Sequence, residues 1–274
     1  MIVLAFLVFL FVMERTTFAV EENTFGTILK DTGVIAHALG EVNGHRHTNS
    51  LEAFQTSYKN GIRVFEVDLI LTSDQHLVAR HDWQPYLARM FEQSLPTNGI
   101  QPLTLEEFQN HKINKRLHPL TVEDIISLLQ IYPDAYIITD TKSTDLDEIK
   151  TQFSVLLQTI FEIDPTMINR VIPQVYNEEM FALLIEMYPF EHFVYTLYKT
   201  FQSSKEVIDF VVRENIQFVA MSESKYSKEF IHELTDRGIT SMIYTINDQD
   251  LAESYFQQGV TAVYTDQLLP NRKE

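Results

Sequence analysis

From Thr121 onward the chain repeats one rhythm: a short apolar run, a helical segment of about ten to eighteen residues, then another apolar run. Ala135 to Lys142, Arg170 to Tyr176, His192 to Leu197, Gln217 to Met221, Ser241 to Ile246 and Thr261 to Tyr264 read as strands. The helical segments between them carry apolar residues at three- and four-residue spacing, as in Ile149, Phe153, Leu156, Leu157 and Ile160. Consecutive strands joined by a helix must run parallel, because a tight turn can only reverse the chain. The pattern therefore predicts a parallel sheet covered by helices.

The first third extends it. Val34 to Leu39 reads as a buried strand, Leu51 to Tyr58 as a helix ended by Gly61, and Val64 to Ile70 as a second strand. Either Asn49 or Ser50 can cap that helix. Leu77 to Ala79 brings the strand candidates to nine, one more than an eight-stranded barrel holds. Too few residues separate Ile70 from Leu77 for a helix, so one of that pair is a hairpin arm or strand extension. The expected fold is α/β, a TIM (β/α)8 barrel over residues 34–270, a span that suits the ~250 residues typical of the class. His37, Asp68, His81, Asp140, Lys142, Gln174 and Asn247 all fall at or near strand C-terminal ends, where barrel active sites are built. Pro85 to Pro119 is irregular apart from a short helix at Leu105 to Asn110, and reads as an excursion over the mouth of the barrel, with a loop at Pro96 to Gly99.

The chemistry concentrates in Arg63 to Trp83. Glu66 and Asp68 sit two apart in an otherwise apolar strand, so they share a face with Val64 and Ile70, while Phe65, Val67 and Leu69 take the other. Two neighbouring carboxylates in a buried setting repel and resist desolvation. A hard divalent cation with oxygen ligands is the usual compensation. His81 follows close behind, and an imidazole beside a carboxylate pair is what metal-assisted acid–base chemistry requires. Asp140 and Lys142, again two apart, are expected on one face of their strand.

Lys plus Arg total 21 against 38 Asp plus Glu, for a net charge of −17, which argues against a nucleic-acid partner. The absence of cysteine excludes disulfides and thiol catalysis. Ile2 to Met13 is an unbroken run of twelve apolar residues, short of the ~20 that cross a bilayer. With Thr17-Phe18-Ala19 behind it, residues 1–19 read as a signal peptide or N-terminal anchor, and residues 20–33 as an extension before the barrel. The expected location is secreted or cell-surface, with membrane association through residues 2–13 as the anchored alternative.

The run Ala36-His37, Asn49 to Phe54, Gly61, Phe65-Glu66-Val67-Asp68, Thr72 to Asp74 and Leu77 to Asp82 resembles the glycerophosphodiester phosphodiesterase family, part of the phosphatidylinositol-phospholipase-C-like barrel group. The likeness continues through Asp140-Thr141-Lys142, Pro173-Gln174, Tyr244 to Asn247 and Tyr264-Thr265-Asp266. It implies that His37 and His81 form an acid–base pair. It further implies that Glu66, Asp68 and Asp140 hold one divalent cation, Ca²⁺ or Mg²⁺, and that Lys142 contacts the phosphate. The implied reaction is hydrolysis of a small-molecule or lipid-derived phosphodiester, such as a glycerophosphodiester or lipid head group.

The chain departs from the family pattern in three places. Ala38 stands where the family has Arg, and Arg46 is the replacement cation to examine. His47-Thr48-Asn49-Ser50 replaces the usual Pro-Glu-Asn-Thr. The third carboxylate, usually Glu, is Asp140, and Asp followed two residues on by Lys is similar to the sphingomyelinase D group. Two alternatives stay open: a sphingomyelinase D-like lyase leaving a cyclic phosphate, and an inactive surface binding barrel. Gln174 otherwise reads as a buried hydrogen-bonder, Asn247 as a helix N-cap, Tyr244 as core, and His45, His47, His111 and His118 as loop residues.

Overall fold

A computed structural model describes residues 24–94 and 101–270. The apolar run at residues 2–13, the leader assigned to residues 1–19 and the loop at Pro96 to Gly99 lie outside the described residues. Among those residues no helix is long and apolar enough to cross a membrane.

In chain order the strands are β1 (Val34–Ala36), β2 (Val64–Leu71), β3 (Leu77–Ala79), β4 (Tyr136–Asp140), β5 (Val171–Val175), β6 (Val194–Thr196), β7 (Phe218–Ser222), β8 (Thr240–Tyr244) and β9 (Ala262–Thr265). All except β3 form one parallel sheet in the order β1-β9-β8-β7-β6-β5-β4-β2. β1 also pairs with β2, and this closes an eight-stranded barrel. The expected TIM barrel is therefore the observed fold. The ninth strand is the hairpin arm: β3 runs antiparallel to β2, with Leu69 opposite Ala79 and Leu71 opposite Leu77. The closing seam is the slightest contact in the barrel. One residue pair, Ala36 with Phe65, joins β1 to β2, whereas five join β2 to β4.

Strand alternation divides the apolar residues between two layers. Phe65, Val67 and Leu69 of β2 pack outward under the helices, each essentially inaccessible to water. Burying each such side chain is worth roughly 1.5–3 kcal/mol. Val64, Ile138, Ile172, Val194, Ala220 and Met242 point inward and fill the barrel. The covering helices are α2 (Leu51–Lys59), α5 (Val122–Ile131), α6 (Leu146–Ile163), α7 (Glu178–Met187), α8 (Ser204–Arg213), α9 (Lys228–Thr235) and α10 (Gln249–Gln257). Their starts are fixed by side-chain caps. Thr121 and Asp124 form a reciprocal capping box at α5, and Ser50, not Asn49, caps α2.

Two features differ from the sequence expectation. Residues ahead of β1 include a helix, α1 (Phe25–Thr32), which places Phe25, Ile28 and Leu29 among the inward residues and closes the N-terminal end of the barrel. The Phe25 ring lies 4.7 Å from Phe218 and 5.7 Å from Tyr136. The excursion after Asp82 contains the expected helix α4 (Leu105–Asn110) and, beyond the expectation, a helix α3 (Pro85–Met90). It packs beside β3, where Val78, Trp83, Leu103 and Phe108 make a small core of their own.

Candidate active site

The longest strand delivers two carboxylates into the barrel. The alternation that turns Val64 inward also turns Glu66 and Asp68 inward, and they are 2 % and 0 % exposed. Asp68 is the register partner of Asp140 at the end of β4. Oxygens of Glu66, Asp68 and Asp140 lie within 4.8 Å of one another. Lys142 reaches the same place by a different route from strand alternation, since β4 ends at Asp140 and Lys142 has a left-handed backbone, φ +59°. Its Nζ stands 2.7 Å from Asp68 Oδ1 and also contacts Asp140 Oδ2. Tyr176 donates its hydroxyl hydrogen to Asp140 Oδ1 and accepts the Lys142 N–H at 2.8 Å.

The charges here are unequal in consequence. Burial and the neighbouring Asp68 push Glu66 up to about 8. Burial works against the charge on Asp68 as well, but Lys142, His81 and His37 overcome it and hold that carboxyl at about 2. Lys142 is raised above its ordinary value: burial opposes its charge, and Asp68, Asp140 and Glu66 more than compensate. Glu66 Oε2 accepts the Ala38 N–H at 2.7 Å, whereas Glu66 Oε1 is buried with no partner. A buried carboxylate oxygen without a partner, set among two further carboxylates, fits a hard cation that takes oxygen ligands.

Two histidines flank this cluster, each held through Nδ1 by a carboxylate. β1 stops at Ala36 and turns through a short 3₁₀ segment, His37–Leu39, so His37 leaves the strand at the barrel mouth. Its Nδ1 lies 2.9 Å from Asp266 Oδ1, just beyond β9. Burial disfavours charge on this ring. The hydrogen bond to Asp266 and the negative field of Glu66, Asp68 and Asp266 outweigh that and raise it to about 9. His81 Nδ1 lies 2.7 Å from Asp82 Oδ2, and Asp82 is fixed in turn by the Gln84 N–H and the Tyr86 hydroxyl. Both histidines keep Nε2 clear of these contacts. They line, with Glu66, Asp140 and Lys142, an open cleft completed by Gln174, Thr196, Tyr198, Tyr244, Thr245 and Tyr264.

The family model for glycerophosphoryl diester phosphodiesterases matches residues 42–269. The chain belongs to that family. Comparison with curated protein sequences returns no match. Among solved structures, a phosphodiesterase from Oleispira antarctica in complex with the product sn-glycerol-3-phosphate superposes with a TM-score of 0.69 at 17 % identity, over 85 % of this chain and 92 % of that one. A glycerophosphodiester phosphodiesterase from Parabacteroides distasonis gives 0.69 at 20 % identity, over 86 % and 93 %. One from Thermotoga maritima gives 0.62 at 18 % identity, over 86 % and 94 %.

As a glycerophosphoryl diester phosphodiesterase, and so a phosphoric diester hydrolase, the chain keeps His37, Glu66, Asp68, His81, Asp140 and Lys142 in one cluster. Its departures from the family are visible at the same place. Ala38 is fully buried with φ +47° and offers its backbone N–H to Glu66. Arg46 is not among the cleft residues. Its guanidinium donates to Glu41 Oε2 and Gln267 Oε1, both at 2.9 Å, and stands 3.8 Å from Asp266 Oδ2, behind His37. His47 is no bystander in its loop, since its ring centroid lies 5.1 Å from that of His37 and 6.5 Å from that of His81.

Sequence reasoning gave no site role to three contributors. Asn49 brackets Asp68, Tyr176 holds Asp140, and Asp266 holds His37. Asn247 is not the N-cap of α10; Asp248 is, and Asn247 donates to Asp266 Oδ2 at 2.6 Å. Gln174 is the expected buried hydrogen-bonder, accepting from Tyr264 at 3.3 Å, while Tyr244 packs against the inward core as expected and also lines the cleft. Ala38, His47, Asn49 and Lys142 all have positive φ. Non-glycine backbone of this kind costs about 1–3 kcal/mol per residue and gathers at functional sites.

Proposed function

We propose that this enzyme hydrolyses glycerophosphodiester-like or lipid-head-group phosphodiesters with His37 and His81 as its acid and base. The observation that carries the reading is the pairing of each histidine with its own carboxylate, Asp266 and Asp82, on either side of a buried three-carboxylate cluster. His37, kept protonated by Asp266 and the carboxylate field, gives its Nε2 proton to the leaving alcohol oxygen. His81, oriented through Nδ1, takes the proton of the attacking water or of a neighbouring substrate hydroxyl. Glu66, Asp68 and Asp140 are the residues to hold a divalent cation, Ca²⁺ or Mg²⁺. When bound, such an ion neutralises charge on the non-bridging phosphate oxygens. Lys142, which pairs with Asp68 and Asp140, would have donors for a phosphate oxygen. The product named for the Oleispira antarctica structure, sn-glycerol-3-phosphate, supports a glycerophosphate-type product here. The apolar run Ile2 to Met13 supports export.

The test uses the full chain, stripped with chelator and assayed on a panel of glycerophosphodiesters with Ca²⁺, Mg²⁺ or no metal. Turnover is expected only with metal, and His37→Ala and His81→Ala should each lower it by about 10²–10⁴-fold. Metal-independent turnover, or full activity in either variant, refutes the assignment. A cyclic phosphate as sole product identifies a lyase instead.

A further inference from the structure

The cleft combines charged groups from β2, β4 and the segments after β1, β3 and β4 with aromatic side chains from the strands and loops of β6, β8 and β9. Tyr198 follows β6, Tyr244 ends β8 and Tyr264 lies in β9, and all three line the cleft. Tyr198 is 63 % exposed, and Phe201, three residues further along the same loop, is 101 % exposed. An isolated exposed apolar residue needs no explanation, but two on one loop, the first of them lining the cleft, do.

The loop that carries the pair is braced on both sides of Phe201. Lys199 Nζ donates to the Lys142 carbonyl at 2.6 Å and lies 5.7 Å from the centre of the Tyr198 ring. The Thr200 carbonyl accepts from Lys225 Nζ at 3.2 Å. Gln202 accepts from the Tyr195 hydroxyl at 2.6 Å and donates to Glu178 at 2.9 Å. The neighbours are thus tied down while the phenyl ring stands in water. Tyr198 lines the cleft and is exposed, and Phe201 is exposed on the same braced loop, an arrangement that fits an apolar part of the molecule bound there. With a net charge of −17, the chain is poorly suited to press this rim onto an anionic lipid surface.

We infer that the preferred substrate carries an acyl chain that leaves the cleft across Tyr198 and Phe201, so that it is a lysophospholipid and not a chain-free glycerophosphodiester. This rests on the phosphodiester hydrolysis proposed above and adds no new chemistry. Water adds to phosphorus, the P–O bond to the head-group alcohol breaks, the alcohol leaves with the proton supplied to it, and the chain stays on the phosphomonoester.

The test compares kcat/KM of the metal-loaded full chain on glycerophosphocholine and on 1-octanoyl-lysophosphatidylcholine, the latter as monomer below its micelle concentration. The octanoyl ester is expected to be at least tenfold better. Phe201→Ser, a change at a fully exposed position, should lower that value about fivefold and leave glycerophosphocholine within twofold. Equal kcat/KM for the two substrates overturns the inference, as does an equal loss on both in the variant. An advantage seen only above the micelle concentration overturns it too, and gives Phe201 to a lipid surface. Turnover of neither diester removes it together with the activity it rests on, whereas turnover of glycerophosphocholine alone removes only the inference.

Discussion

Asn49 and Asp68 are joined by two hydrogen bonds in opposite directions. The Asn49 Nδ2 donates to Asp68 Oδ2 at 2.7 Å, and the Asp68 N–H donates to Asn49 Oδ1 at 3.1 Å. Neither residue is exposed to any measurable extent. Asn49→Ala would strand a buried carboxylate oxygen and a buried N–H. The expected result is a loss of about 1–3 kcal/mol in urea unfolding, with activity falling as Asp68 loses its orientation. Asn49→Asp should be worse, because it sets another carboxylate against Asp68.

Lys142 is the cation that the described structure provides for Asp68 and Asp140. Removing one partner of a buried ion pair destabilises by about 3–5 kcal/mol, since the other charge is left without compensation. Lys142→Met should therefore lower the Tm of chelator-treated protein. Added Ca²⁺ or Mg²⁺ should raise the Tm of the variant by more than that of the parent, because ligand binding to the folded state adds to its stability. An equal shift in both proteins would show that the ion and Lys142 do not share the same carboxylates.

The contact between His37 and Asp266 has a consequence for pH. The His37 ring is raised to about 9 in the fold, against an ordinary 6.5. Its contribution to stability is fully present below about pH 6.5, declines above it, and is lost as pH rises through about 9. Glu66, raised to about 8, bends the profile the same way. The informative quantity is thus the difference between the parent and Asp266→Asn. Urea unfolding at pH 6, 7.5 and 9 should show the parent losing up to roughly 3 kcal/mol more than the variant over this range.

Phe25 tests the far end of the barrel. Its ring is 1 % exposed and packs on Phe218 and Tyr136. Phe25→Ala is expected to cost about 3–5 kcal/mol in unfolding free energy while leaving KM unchanged. A change in KM without loss of stability would contradict the role of α1 as a closure of the barrel.

The barrel was legible because periodicity is local: a run such as Phe65, Val67 and Leu69 declares its face without reference to the rest of the chain. That His37, Glu66, Asp68, His81, Asp140 and Lys142 come together was legible as well, since Glu66 and Asp68 are anomalous in an apolar strand and the others cluster at strand ends. The supporting groups were not. Asp266 meets His37 across 229 positions, Tyr176 meets Asp140 across 36, and no spacing rule links them. Asn247 and Asp248 are both able to cap a helix, and only the presence of Asp266 decides which is released for another task. α1 escaped notice because eight residues with three buried ones give little signal until the open end of the barrel supplies their partner.

The seam between β1 and β2 gives the site a second meaning. Where the backbone ladder ends after a single pair, the next link across the seam is the Ala38 N–H on the Glu66 carboxylate. The chemistry is thus built into the clasp of the barrel, and a substitution at Glu66 made to silence the enzyme would also loosen that clasp. Amide hydrogen exchange at Ala36, Ala38 and Phe65 is where such loosening would register first.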